Sequence, residues 1–275
     1  MGLRVATLGA AAVLAASPAA SGVHYLQSRQ LENGGFAEPG ATAYPQLTAW
    51  AVLGLRAAGV RAAPGTSRYL ASHEAELTKP TDLALVAMAE AALGQQPDTV
   101  LARLRSLEQR NGSFGGLVNG TAWAVLALRT AERPVHAKTI RWLLARQARS
   151  GGWGWNRKSV DSNDTAAVVE ALRAVGVHGR PIRRALHYLG TYRNRDGGFE
   201  LTHGRGSDAQ STAWVIQAYL AAGKRPPRAA LAYLRRLQQP DGSFRYSLHY
   251  VATPVWVTSQ VIPAVVSKPF PLGVS

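Results

Sequence analysis

A short block ending in Gly-Gly or Gly-Ser plus an aromatic recurs along this chain. Its copies are Asn33-Gly34-Gly35-Phe36, Asn111-Gly112-Ser113-Phe114, Ser150-Gly151-Gly152-Trp153, Asp196-Gly197-Gly198-Phe199 and Asp241-Gly242-Ser243-Phe244. The last four aromatics lie 39, 46 and 45 residues apart, and the 78 residues from Phe36 to Phe114 leave room for two units with one degenerate block. A period near 40 marks a repeat architecture, in which no unit buries its apolar face alone. The five aromatics are expected to be structural, wedged between helices of adjacent units.

Each block follows an amphipathic helix. Ile182, Ala185, Leu186 and Leu189 form an i, i+3, i+4, i+7 stripe between Arg183, Arg184 and His187. Ile140, Leu143 and Leu144 repeat it, as do Val100, Leu104 and Leu107, so these helices have one face in water. Each block precedes a second helix that is apolar nearly all round, as in Ala213 to Ala222, and such a helix is buried on most sides. These begin at Thr48-Ala49-Trp50, Thr121-Ala122-Trp123, Thr165-Ala166-Ala167 and Thr212-Ala213-Trp214, with Pro254-Val255-Trp256 read as the same place in the last unit. Gly59, Gly94, Gly176 and Gly223 stand where helices should end. Counting a degenerate unit near Arg68–Glu74 and Asp82–Leu93, there are six outer–inner pairs. An open solenoid needs polar capping repeats. The last helix, Val255 to Val265, is as apolar as the interior ones, so the pairs are expected to close into an all-α (α/α)6 barrel, a toroid of six helix-pair repeats.

The first 21 residues read as an export signal: Arg4, then an apolar run from Val5 to Ala16, then small residues at Ser17-Pro18-Ala19-Ala20-Ser21. The expected division is a leader over 1–21, the toroid over 22–268 and a short tail over 269–275. The mature chain is then expected to be secreted and to begin near Ala20 to Val23, with the residues before that packing against nothing. There is no Cys, which excludes disulfides and a lipoprotein anchor. The net charge of +15 is carried mostly by Arg on outer helix faces such as Arg103, Arg141 and Arg235. It reads as a solvated surface or as attraction to an envelope component. Nucleic acid is not an expected partner, no stretch is long enough for an integral membrane segment, and a monomer is the default.

The pairing of Leu143-Leu144-Ala145-Arg146-Gln147 with Gly151-Gly152-Trp153 resembles the QW repeat of squalene cyclases and related terpene cyclases. Gln30 before Gly34-Gly35-Phe36 and Gln238-Gln239 before Gly242-Ser243-Phe244 resemble it as well. The resemblance implies the α/α toroid shared by terpene cyclases, protein prenyltransferase β subunits, complement-like thioester domains and vitamin B12 carriers. It covers nearly the whole mature chain and is specific for the fold, a fold that hosts unrelated activities. A prenyltransferase zinc site and a thioester each need the Cys this chain lacks. Asp161-Ser162-Asn163-Asp164-Thr165-Ala166 resembles the Asp-x-Asp-Asp-Thr-Ala motif of class II cyclases, whose central Asp protonates an alkene or epoxide. Asn163 stands at that position, and an amide has no proton to give. Such cyclases are also expected to need a second helical domain, for which the chain is too short.

The resemblance places the N-termini of the inner helices around one barrel mouth. Asp161 and Asp164 are the candidate catalytic carboxylates. Asp161, Asn163, Asp164, Ser207, Asp208, Trp155 and Tyr246 are the candidate ligand-binding set. For the aspartates, helix capping is the competing reading. The tryptophans of the inner helices, Trp50, Trp123, Trp214 and Trp256, either pack between repeats or line a cavity where a cation is stabilised. His203 and His249 both lie in loops leading to inner helices, but no His pair has metal spacing. Neither a metal nor a cofactor is expected. Two functions remain open. One is a ligand- or partner-binding toroid lacking the cyclase acid, its partner an apolar small molecule or an envelope component. The alternative is a terpene-cyclase-like isomerase acting on an isoprenoid in the cavity. A polysaccharide lyase or hydrolase would need carboxylates paired across the cavity.

Overall fold

The computed structural model describes residues 17–156 and 158–272. Twelve α-helices occur among them, in six pairs. The outer helices are α1 (Pro18–Ser28), α3 (Thr66–His73), α5 (Asp98–Ser106), α7 (Ala137–Ala145), α9 (Arg180–Gly190) and α11 (Arg228–Arg236). The inner helices are α2 (Pro45–Ala57), α4 (Pro80–Ala92), α6 (Val118–Thr130), α8 (Ser162–Ala174), α10 (Ala209–Ala221) and α12 (Pro254–Val265). A two-residue hairpin, β1 (Trp153–Gly154) with β2 (Val160–Asp161), precedes α8. Each inner helix packs on the next, and α12 packs on α2, so the ring closes. Outer α9 buries only Ile182, Ala185 and Leu189, whereas inner α2 buries nearly every residue. The expected (α/α)6 toroid is the fold observed.

The glycine-aromatic block is the lock between units. Phe36, Phe114, Trp153, Phe199 and Phe244 are fully buried. The backbone N–H of each donates to the hydroxyl of a threonine on the following inner helix: Thr48, Thr121, Thr165, Thr212 and Thr258, at 2.8–2.9 Å. The preceding glutamine reaches forward to the next outer helix. Gln147 Nε2 donates to the carbonyls of Gly151 at 2.7 Å and Pro181 at 2.9 Å. The glycine is required twice over. Gly197 has φ +89°, and a Cβ there would lie 2.7 Å from the carbonyl oxygen of Ala229 on the next outer helix.

The same lock closes the ring. Gln238 Nε2 donates to the carbonyls of Gly242 at 3.2 Å and Pro18 at 2.7 Å, and Gly242 abuts the backbone of Ser21. Glu38, two residues past the first aromatic, accepts from Val255 N–H at 2.9 Å and Trp256 N–H at 2.8 Å, so its carboxylate sits on the N-terminus of α12. Two boundaries therefore differ from those read in the sequence. Pro18–Ser21 form the first turn of α1, capped by Ser17, and Ala19 is buried; most of the leader lies outside the described residues. At the other end, Phe270 and Leu272 are core residues, so the barrel core runs past residue 268. No helix among the described residues is long and apolar enough to cross a membrane.

Candidate functional site

The threonine that takes the aromatic N–H sets a common register for the inner helices. Two residues before it stand Gln46, Asn119, Asn163, Gln210 and Trp256; two residues after it stand Trp50, Trp123, Ala167, Trp214 and Gln260. Helix α4 has Leu83 at the threonine position and supplies Thr81 and Leu85. These positions are one helical turn apart, so both project from the same face. Together with Asp82 they are the full lining of a cup of about 260 Å³ at the barrel axis. The cup is thus two rings of six residues, one per repeat, at the mouth where all six inner helices begin.

Its floor is aromatic. Trp50, Trp123 and Trp214 come from every second inner helix and meet edge to face, with ring centroids 5.1–5.8 Å apart. Such T-shaped pairs add about 0.5–1.5 kcal/mol each beyond burial. Phe270 approaches all three, at 6.1–6.4 Å, and its N–H donates to Glu170 Oε2 at 2.8 Å. The C-terminal segment thus fills the axis at the tryptophan floor. Burial pushes the Glu170 carboxyl well above its ordinary range. These three tryptophans meet at the axis instead of filling gaps between neighbouring repeats.

Trp256 does not share their slot. Phe244 anchors on Thr258, which puts Gln260 in the floor position and leaves Trp256 one turn nearer the mouth, stacked on Tyr44 at 6.5 Å. The dipeptide Val255-Trp256 imitates the Ala-Trp of other repeats, but Thr258 fixes the register.

The rim is rich in amides and hydrogen-bonded between neighbouring helices. Gln46 Nε2 donates to Asp82 Oδ2 at 3.0 Å, with Thr81 Oγ1 donating to Asp82 Oδ1 at 3.4 Å. Asn119 Nδ2 donates to Asp164 Oδ1 at 2.7 Å, and one turn deeper, at the floor, Trp214 Nε1 donates to Gln260 Oε1 at 2.9 Å. The pattern repeats at every second helix junction. Asp82 is the carboxylate that lines the cup. Its repeat lacks both the glycine-aromatic block and the threonine, so the sequence offers no register by which to find it. Gln46, Asn119, Gln210 and Gln260 become visible only once the threonine register is known.

The sequence-derived candidates fall in three places. Asn163 lines the cup. Asp161 and Asp164 belong to the same helix start but are not part of the lining. Asp161 is the N-cap of α8, accepting from Asp164 N–H at 2.8 Å. Burial, and then the charge of Asp164, push the Asp161 carboxyl up to about 7, against the pull of two backbone N–H groups. Burial also raises Asp164, while the Asn119 amide lowers it. Ser207, Asp208 and Tyr246 line a second, lateral cavity of about 510 Å³, with Arg205, Tyr233, His249 and Tyr250. There Asp208 caps α10, accepting from Ser211 N–H at 2.7 Å and Ser211 Oγ at 2.8 Å. Burial raises its carboxyl, and these bonds oppose the rise. Trp155 is 71% exposed on the hairpin before α8, away from both linings. His203 stacks on Tyr192 at 4.3 Å, so it and His249 keep different neighbours.

Residues 132–257 match the model of the squalene-hopene cyclase C-terminal domain. That match, over 126 of the 275 residues, supports the squalene cyclase and terpenoid cyclase superfamily for this chain. A drimenyl diphosphate synthase of Streptomyces showdoensis is 32% identical over 165 residues, 52% of this chain and 30% of that protein. The chain thus spans less than a third of that relative's length. Among solved structures, a protein from Actinoplanes superimposes with TM-score 0.72 at 18% identity, covering 92% of this chain and 98% of that one. The type II terpene cyclase MstE from Scytonema gives TM-score 0.67 at 15% identity, again covering 92% and 98%. At these identities the superpositions show the fold.

Proposed function

We propose that this toroid is a terpene-cyclase-type isomerase that takes one end of an isoprenoid into the axial cup, with Asp82 in place of residue 163 as the proton donor. The observation that carries this reading is the lining itself. It holds one carboxylate, Asp82, above a floor of tryptophan π faces, and an amide at Asn163. Protonation of an alkene needs an acid within reach of the bound chain, and geometry comes before acidity in choosing it. The cation so formed is stabilised by aromatic faces. The cup is slightly smaller than the roughly 300–1,000 Å³ usual for small-molecule sites, so it suits a chain end while the rest lies along Trp256 and Tyr44. A variant of MstE is solved with its substrate, geranylgeranyl dihydroxybenzoate, and that ligand class supports an isoprenoid here.

The test is product analysis after incubating the protein with squalene and with C15 and C20 isoprenoids. Cyclic product from the wild type that disappears in Asp82→Asn is the expected result. A second reading, an isoprenoid-binding toroid without catalysis, is favoured by Asn163 at the motif's acid position. It predicts an inert wild type and cyclic product only after Asn163→Asp. Export belongs to this proposal on the strength of Arg4 and the Val5–Ala16 run. An intact Met1 on protein recovered from the cytosol would overturn it.

A further inference from the structure

Gln260 is the polar member of the floor ring, whose other members are Trp50, Leu85, Trp123, Ala167 and Trp214. Its orientation is fixed. An indole N–H can only donate, so the oxygen of the Gln260 amide must face Trp214 Nε1, which it does at 2.9 Å. The amide nitrogen is thereby turned the other way. Gln260 is 1% exposed, and its Nε2 has no hydrogen-bond acceptor among the described residues. A buried donor left without an acceptor carries the full desolvation penalty of the group. A purely hydrocarbon ligand on this floor would leave that penalty standing.

We infer that the cup is built for a ligand tipped with a neutral oxygen, a hydroxyl, carbonyl or epoxide that accepts from Gln260 Nε2 at the level of the tryptophans. This names the substrate class of the site proposed above and rests on that reading. The oxygen is neutral because no Lys, Arg or His lines the cup, and an anionic head buried there would have no cation to pair with. The rim amides are already committed in part, Gln46 to Asp82 and Asn119 to Asp164. The rim amides Asn163 and Gln210 are partly exposed and can give their N–H groups to water, so the buried donor without an acceptor lies at the bottom of the cup, and the oxygen end goes in first.

Four tryptophans line the cup, so intrinsic fluorescence reports its occupancy. The probes are two C10 isoprenoids, the alcohol geraniol and the hydrocarbon myrcene, titrated into the full chain. One good hydrogen bond to a buried donor corresponds to about a tenfold gain in affinity, so geraniol should bind about tenfold tighter than myrcene. Gln260→Met keeps the side-chain length and removes the donor. It also removes the acceptor of Trp214 Nε1, which alters the floor for both probes, so the reading is their ratio within the variant: geraniol and myrcene should bind it equally. Equal wild-type affinities for the two probes would overturn this inference and leave the isoprenoid reading intact, and they need no variant to be read. A preference for geraniol that survives Gln260→Met would overturn it as well. If neither probe binds, the inference and the isoprenoid reading of the cup fall together.

Discussion

Between the repeats, five units place the same residue types at the same positions: a glycine at positive φ, a buried aromatic and a threonine that receives its N–H. At the axis, six helices present two rings in which no repeat matches the next in both positions. The lock solves one packing problem several times, so its residues are constrained to be alike. The cup encloses one asymmetric space, so neighbouring helices contribute different residues. Uniformity along this chain marks structure, and departure from uniformity marks the candidate site.

The largest expected effect comes from the lock. Phe199→Ala removes a fully buried ring and should cost about 3–5 kcal/mol of unfolding free energy. Asn163→Ala, on the open side of the cup, should stay within about 0.5 kcal/mol. Denaturant titration of the two variants side by side would break the contrast if their midpoints shifted alike. Next is ring closure. Gly242 has φ +90° and a Cβ there would strike the Ser21 backbone. Gly242→Ala should cost about 1–3 kcal/mol, seen as a lowered Tm. Removing the Glu38 carboxylate from the start of α12 should cost about 1 kcal/mol in Glu38→Ala.

The last effect is read as a slope with pH and not as a single shift. Asp161 has a folded-state pKa of about 7, above its unfolded value. The native state therefore holds more protons between about pH 4 and 7. This group's contribution to stability is full below its unfolded pKa and is lost as pH rises through about 7. Asp161→Asn keeps an N-cap acceptor and should flatten that part of the stability–pH curve. An unchanged slope would place the proton elsewhere, with Glu90, which burial and then Glu74 push up to about 8, as the next carboxylate to examine.

How far the sequence was readable follows the same division. The period, the six pairs and ring closure were all legible, because the aromatic block and the near-wholly apolar inner helices repeat. The threonine was legible as a helix start, although its bond to the aromatic N–H was not. Asn163 was legible through its motif. Asp82 was not, because its repeat lacks both the block and the threonine. Gln260 was hidden by Val255-Trp256, which imitates the inner-helix start four residues too early. Ser207 and Asp208 read as mouth residues because they precede an inner helix, but they line a separate lateral cavity together with Tyr246. The place of Phe270 on the axis follows from ring closure, which leaves a core open at that end for a nearby chain terminus to fill. No local pattern in the sequence encodes it.

The central claim is that the axial cup, and not the larger lateral cavity, receives the ligand. A crystal structure of the protein soaked with geraniol tests it most directly. The expected result is ligand density inside the cup, its oxygen within hydrogen-bond distance of Gln260 Nε2 and its chain running past Asp82 and Asn163 to the mouth. Density in the lateral cavity among Arg205, Tyr233, Tyr246 and Tyr250, with the cup empty, would contradict it.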